Sequence, residues 1–278
     1  CYRYRGKAND ESGHAYGQRM ANALETEILR LGADKVMAFL AEPVVGATLG
    51  AVAAETGYFT RIREICDHYG VLLILDEVMC GMGRTGSLFA CDHDQVRPDI
   101  IAIAKGLGAG YQPVGAMLCS KDIYDAIATG SGFFQHGHTY LAHPVACAAA
   151  HAVLSKIIET NLPSRAAMMG DKLIQALQSA FGQHPFIGDI RGRGLFIGME
   201  FVADRTQKTP FDPTLGLHRK IKAAAFEAGL LCYPMGGTID GKNGDHLLLA
   251  PPFILEDSHI GEIADKLAIA FDAVMPPA

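Results

Sequence analysis

Apolar side chains recur along this chain with two periods. Spacings of three and four predict a helix from around Ala15 to Leu31, another over 58–70 (YFTRIREICDHYG) and a third starting at 121–129 (KDIYDAIAT). Short continuous apolar runs of strand length separate them: VMAFLAE at 36–42, VLLILDEV at 71–78, DIIAIAK at 99–105 and VGAMLCS at 114–120. The last two read as buried strands. An Ala-rich helix from about Pro144 to Glu159 follows, and then the pattern changes. NLPSRAAMMGDKLIQALQSAF reads as an amphipathic helix with a proline in its first turn, and the strand GLFIGMEFV stands behind RGRG. A helix near Leu217 to Ala228, short strands at LLCYP and HLLLAPP, and a closing helix from about Asp257 to Val274 complete the pattern. Strands alternating with helices predict an α/β fold. The shift after the Ala-rich helix divides it into residues 1–159 and a smaller C-terminal α/β unit, 160–278.

Composition narrows the class. The 278 residues are 49% hydrophobic, enough for a substantial core, and a net charge of −6 with no basic run leaves no footprint for nucleic acid or an anionic membrane. Seven cysteines without a CxxC pair argue against a disulfide scaffold or a zinc ribbon and fit a reducing cytoplasm. The most apolar long stretch, LAHPVACAAAHAVL, is Ala-rich, carries two histidines and soon meets Lys156, which reads as a packed helix and not a membrane span. The chain begins at CYRYRGKANDESGHAYG, without Met, and reads as a piece of a longer protein.

The candidate chemistry starts where VLLIL runs into Asp76 and Glu77, because a carboxylate at the end of a buried strand needs a partner. A nucleotide hydrolase would place such acids on Mg²⁺, but it needs a GxxxxGK[ST] loop, and GMGRTGS has Ser87 where Lys is required. A metal site at His136, His138 and His143 lacks a neighbouring carboxylate or cysteine, so no metal is expected. Lys105 is the third possibility. It ends an apolar run immediately before a glycine-rich turn, where an amine stands exposed at the lip of a sheet and is poised for Schiff-base chemistry. Pyridoxal phosphate requires such an amine, a carboxylate on its pyridine nitrogen and a cradle for its phosphate; Asp76, 29 residues upstream on a neighbouring strand, supplies the carboxylate. Taken singly, the lysine reads as a surface residue and the aspartate as one half of an ion pair.

EPVVGA, LLILDEVMCGMGRTGSLFA, RPDIIAIAKGLGAGYQPVGAML, HGHTYLAHPVACAAA and RGRGLFIGMEF, in this order, resemble class III aminotransferases of fold type I. The agreement spans nearly the whole chain, and DEVMCG and GYQP look most like the omega-amino-acid:pyruvate branch. The resemblance implies the fold type I pyridoxal-phosphate-dependent transferase architecture, a mostly parallel central sheet flanked by helices. It implies that Lys105 carries the cofactor and moves the substrate proton, that Asp76 binds the pyridine nitrogen, that Val78 packs on the ring, and that Glu42 lies near cofactor and substrate. It also implies a homodimer with shared active sites, in which Thr139 reaches the cofactor phosphate of the neighbouring subunit. The implied reaction moves an amino group from a small-molecule amine donor to a keto acid acceptor such as pyruvate. An aminomutase or racemase on the same scaffold, or a non-catalytic fragment of it, is the alternative.

Other family-like residues read as structural: Glu77 and Arg84 as an ion pair holding the GMGRTG turn, Arg191 and Arg193 as braces at a strand entrance. Met79 stands where some relatives have a Gln able to reach the cofactor's phenolic oxygen. Nothing before VMAFLAEP resembles the family's phosphate cup or its ring-stacking aromatic, and in TIDGKNGDHLLLAPP the only cation is Lys242, so no carboxylate-binding residue is assigned.

Overall fold

The computed structural model describes residues 2–276. In chain order the elements are α1 (Arg3–Gly6), α2 (Gly13–Leu31), β1 (Ala38–Ala41), β2 (Val44–Val45), β3 (Val52–Ala53), α3 (Tyr58–Tyr69), β4 (Leu72–Asp76), β5 (Ile100–Ile103), β6 (Ala116–Cys119), α4 (Lys121–Thr129) and α5 (Pro144–Glu159). The second half continues with α6 (Leu162–Phe181), β7 (Ile187–Arg193), β8 (Phe196–Phe201), α7 (Leu217–Glu227), β9 (Tyr233–Gly236), β10 (Asp245–Leu249) and α8 (Asp257–Val274). Two four-stranded sheets and a two-stranded antiparallel pair, β2-β3, make up the sheet structure of the described residues. The first has the order β1-β4-β5-β6, parallel except for β6; the second, β7-β8-β10-β9, is antiparallel throughout.

Local chemistry explains the helix ends. Ser12 caps α2 by accepting from the Ala15 N–H at 3.1 Å, and α3 stops at Gly70, whose φ of +66° suits glycine. Pro144 and Pro163 sit in the first turns of α5 and α6, where a missing N–H costs nothing. The pleat of β4 sends Leu73 and Leu75 into a core with Ala21 and Ile28 of α2 and Phe59 and Ile62 of α3. Leu72, Ile74 and Asp76 therefore take the opposite face. In the second sheet, Leu247 and Leu249 face α6, α7 and α8, while Leu248 joins Phe196, Val44, Ala51 and Cys80 in a small cluster that packs this sheet against β2 and the turn after β4.

Three expectations change. The run 114–120 is a strand, but all four residues of β6 are exposed, since it is an edge strand with neither face covered. IGDIRGR is strand β7, concealed in the sequence by glycines and charges at alternating positions; Arg191 lies inside it, buried, and only Arg193 stands at its end. The acidic strand stops at Asp76, so Val78 lies in a turn and strand alternation does not set its direction.

Candidate active site

β1, β4 and β5 run parallel and adjacent, and each delivers one titratable side chain at its carboxyl end: Glu42 just after β1, Asp76 as the last residue of β4, and Lys105 two residues beyond β5. In open α/β sheets this is the edge where ligands bind, because loops there leave a crevice. Asp76 pairs in register with Ala102, and the Glu77 N–H donates to the Ala102 carbonyl at 2.9 Å, which locks the two strand ends together.

The Asp76 carboxylate is held by the N–H of Val78, which donates to Oδ1 at 2.9 Å, while its second oxygen has no protein donor among the described residues. Glu42 Oε2 accepts the Gly46 N–H at 2.9 Å. Burial pushes the Glu42 carboxyl up, the Gly46 N–H opposes this, the Asp76 carboxylate raises it further and the Lys105 ammonium draws it back; all three groups thus share one electrostatic neighbourhood. Lys105 opens a 3₁₀ turn with φ of +43°, a left-handed conformation uncommon outside glycine, and its amine has neither an ion pair nor a hydrogen bond among the described residues. The turn closes on Gly108, where a Cβ would lie 2.6 Å from the Gln112 carbonyl oxygen.

Glu77 and Arg84 are not an ion pair. Both oxygens of the fully buried Glu77 accept backbone N–H groups at the start of the 3₁₀ turn Ala90–Asp94, from Ala90 at 2.6 Å and Cys91 at 2.8 Å. Two unpaired donors at a turn N-terminus satisfy a carboxylate better than a distant guanidinium. Arg84 instead donates from Nη1 to the carbonyls of Leu195 and Pro251, at 3.1 and 2.6 Å, and stacks 4.4 Å above the Phe253 ring centre. Neither role was visible in the sequence, because residues 195, 251 and 253 lie more than a hundred positions away.

Lys105 borders an open cavity of about 1370 Å³ whose wall also includes Arg84, Tyr111, Lys156, Pro252 and Phe253. Asp76, Val78, Glu42 and Thr139 do not line it; Thr139 lies in the exposed segment 131–143, with His136, His138 and His143. Thus the structure brings Glu42, Asp76 and Lys105 to one sheet edge, leaves Val78 half-buried beside Asp76, and leaves Thr139 exposed in segment 131–143, whose His138 and Tyr140 line a smaller pocket with Gln112, Pro113 and Val114.

A family model described as Aminotransferase class-III matches residues 2–271. The chain belongs to the class-III aminotransferases. It is 45% identical over 265 residues to an aminotransferase of Gibberella zeae, covering 95% of this chain and 52% of that protein. An amine transaminase structure from an uncultivated Pseudomonas species, in its PLP-bound form, superposes with a TM-score of 0.90 at 37% identity over 98% of this chain and 60% of that one. An (S)-enantioselective omega-transaminase from Thermomicrobium roseum gives 0.90 at 34%, over 99% and 59%. This class-III aminotransferase chain therefore spans a little over half the length of such relatives. Among its described residues no helix is long and apolar enough to cross a membrane.

Proposed function

We propose that the full-length protein is a pyridoxal-phosphate-dependent transaminase that moves an amino group from an amine or omega-amino acid to a keto acid such as pyruvate. The observation that carries this reading is the pairing of a carboxylate with one open oxygen and an unpaired amine at the ends of adjacent parallel strands. The two do not form an ion pair with each other, so the donor set suits a cationic ring nitrogen on one side and an aldehyde on the other. When bound, pyridoxal phosphate supplies an electrophilic carbon for the amine and a ring that accepts the electron pair released at the substrate Cα.

The chain's own residues do the rest. Asp76 would hold the pyridine nitrogen in its protonated form, which is what makes such a ring electron-accepting. Lys105 would hold the cofactor through its amine and, when that amine is free, would serve as the base that takes the proton from substrate Cα. Glu42, whose proton affinity is raised by burial, bounds the site on the β1 side, and Val78 packs beside Asp76. Thr139, in an exposed segment, would donate its hydroxyl to the cofactor phosphate of a neighbouring subunit in a homodimer, with residues 160–278 as the smaller unit of each protomer.

The test uses the full-length holoenzyme with a panel of amines, diamines and beta-amino acids plus pyruvate, following alanine. Lys105→Ala is expected to lower turnover by at least about 10³-fold, in the range of a lost general base. Alanine formation at the wild-type rate in that variant would falsify the assignment.

A further inference from the structure

Glu42 takes its hydrogen bond from Gly46, which opens the turn of the β2–β3 hairpin. The turn closes on itself where the Gly50 N–H donates to the Gly46 carbonyl at 2.8 Å. Its two strands are only two residues long each, too short to fix where the turn lies. Arg191 of β7 supplies the hold. Its Nε donates to the Gly50 carbonyl at 2.9 Å and its Nη2 to the Leu49 carbonyl, while Nη1 is taken by Glu200 at 2.7 Å and Asp189 at 3.2 Å. The two acids balance the buried guanidinium on one edge and leave the other to two consecutive carbonyls, which only a planar fork reaches together.

The turn is pressed flat on the second sheet. A Cβ on Gly198 of β8 would fall 2.0 Å from the Gly50 carbonyl oxygen, and one on Gly50 would fall 2.5 Å from Cδ2 of His246 of β10. Around Arg191, the Tyr2 hydroxyl and Arg5 complete the shell of Glu200, and His246, whose pKa burial pushes down to about 4, adds no charge at neutral pH. Around Glu42 stand the Asp76 carboxylate, the Lys105 ammonium and the Cys80 thiol, which burial pushes up to about 12 and keeps neutral. Burial raises the proton affinity of Glu42; of the two influences that oppose it, the Gly46 N–H outweighs the Lys105 ammonium. The state of this acid therefore depends on where one backbone N–H points.

We propose that Arg191 is a positioning residue, which clamps the 46–50 turn to the second sheet and thereby aims the Gly46 N–H at Glu42, holding that acid in place at the edge where Asp76 and Lys105 stand. This rests on the reading of Glu42, Asp76 and Lys105 as one cofactor site. Arg191 itself touches none of the three; it acts through the turn.

The experiment compares the full-length holoenzyme with its Arg191→Lys and Arg5→Gln variants, using 1-phenylethylamine and pyruvate as substrates and residue-resolved hydrogen exchange as a second readout. Lysine keeps a charge for Glu200 but cannot span both carbonyls, whereas Arg5 binds the same Glu200 and makes no hydrogen bond to the turn. In Arg191→Lys the Gly46 and Gly50 amides are expected to exchange at least about tenfold faster, kcat/KM to fall about 10- to 100-fold, and the acid limb of its pH profile to move to higher pH, as an acid short of its donor requires. Arg5→Gln is expected to show none of the three, whatever Tm it loses. The same changes in both variants, or an unmoved acid limb in Arg191→Lys, would reduce Arg191 to a brace of the sheet and overturn the proposal. Should Arg191→Lys not fold, exchange in the wild type decides: Gly46 and Gly50 amides as slow as those of β8 support the clamp, and faster exchange, toward that of the exposed residues 240–242, refutes it. A wild type that converts no amine but loses protection at Gly46 and Gly50 only in Arg191→Lys would sink the transaminase reading and leave the clamp standing.

Discussion

Asp76 and Glu77 are neighbours in sequence with opposite fates. Glu77 points into the protein, where burial raises its proton affinity and the N–H groups of Ala90 and Cys91 offset part of that. Asp76 takes one N–H and leaves an oxygen to the sheet edge. His246 shows the same cost for a base. It is fully buried, its Nδ1 meets Thr238 Oγ1 at 2.7 Å, and Nε2 has no partner among the described residues. Burial, aided by the Arg191 charge, pushes its pKa down to about 4. Since the unfolded chain takes up a proton near pH 6.5 and the native chain does not, stability should fall as pH drops from 6.5 toward 4, by at most about 1.4 kcal/mol per unit. In His246→Gln that contribution is absent, so the stability gap between wild type and variant should narrow between pH 7 and pH 5 in urea melts. A gap independent of pH would show that His246 does not titrate this way.

At the scale of elements, close backbone approach matters more than propensity. Gly170 lies within α6, where alanine is normally better by about 1 kcal/mol, yet its Cβ would fall 2.1 Å from the Gly194 carbonyl oxygen in the β7–β8 turn. Gly170→Ala is therefore expected to destabilise by roughly 1–3 kcal/mol or more, as overpacking does. Gly261 in α8 has nothing within 4 Å of its Cβ position, so Gly261→Ala should stabilise by about 0.5–1 kcal/mol. Thermal melts of the pair check both signs. The same β7–β8 turn donates the Leu195 N–H to the Arg84 carbonyl at 3.1 Å, so the α6 contact also sets where the cavity arginine stands.

Across the whole molecule, one buried ionic network joins distant segments. Glu200 of β8 accepts from Arg191 of β7 at 2.7 Å, from Arg5 at 2.8 Å and from the Tyr2 hydroxyl, while Arg191 Nε donates to the Gly50 carbonyl at 2.9 Å. Gly50 closes back on Gly46 at 2.8 Å, and Gly46 holds Glu42, so the network reaches the sheet edge through a single loop. Removing Glu200 leaves the buried Arg191 with Asp189, at 3.2 Å, as its remaining counter-charge. Glu200→Ala is expected to cost about 1–3 kcal/mol, since Asp189 still faces Arg191, and to speed tryptic cleavage at Arg3, Arg5 or Lys7. Cleavage and unfolding at wild-type rates would mean that the network contributes little.

The α/β class, the helices from α2 onward, the proline and glycine element ends, and the two residues Asp76 and Lys105 were legible in the sequence alone, because each is written in local periodicity or in an apolar run broken by a charge; α1 was not. The family's motifs were legible for the same reason: they are contiguous. What the tertiary structure decided depends on contacts between residues far apart. The side chain of Val78 left the strand pattern when its N–H turned back onto Asp76, Glu77 exchanged an expected guanidinium for backbone donors thirteen and fourteen residues on, and Arg84 was carried to carbonyls and a ring from the C-terminal half. Strand β7 escaped notice since its inward residue is an arginine whose partner lies on the next strand, and β6 was misjudged as buried since a short apolar run carries no record of what covers its faces.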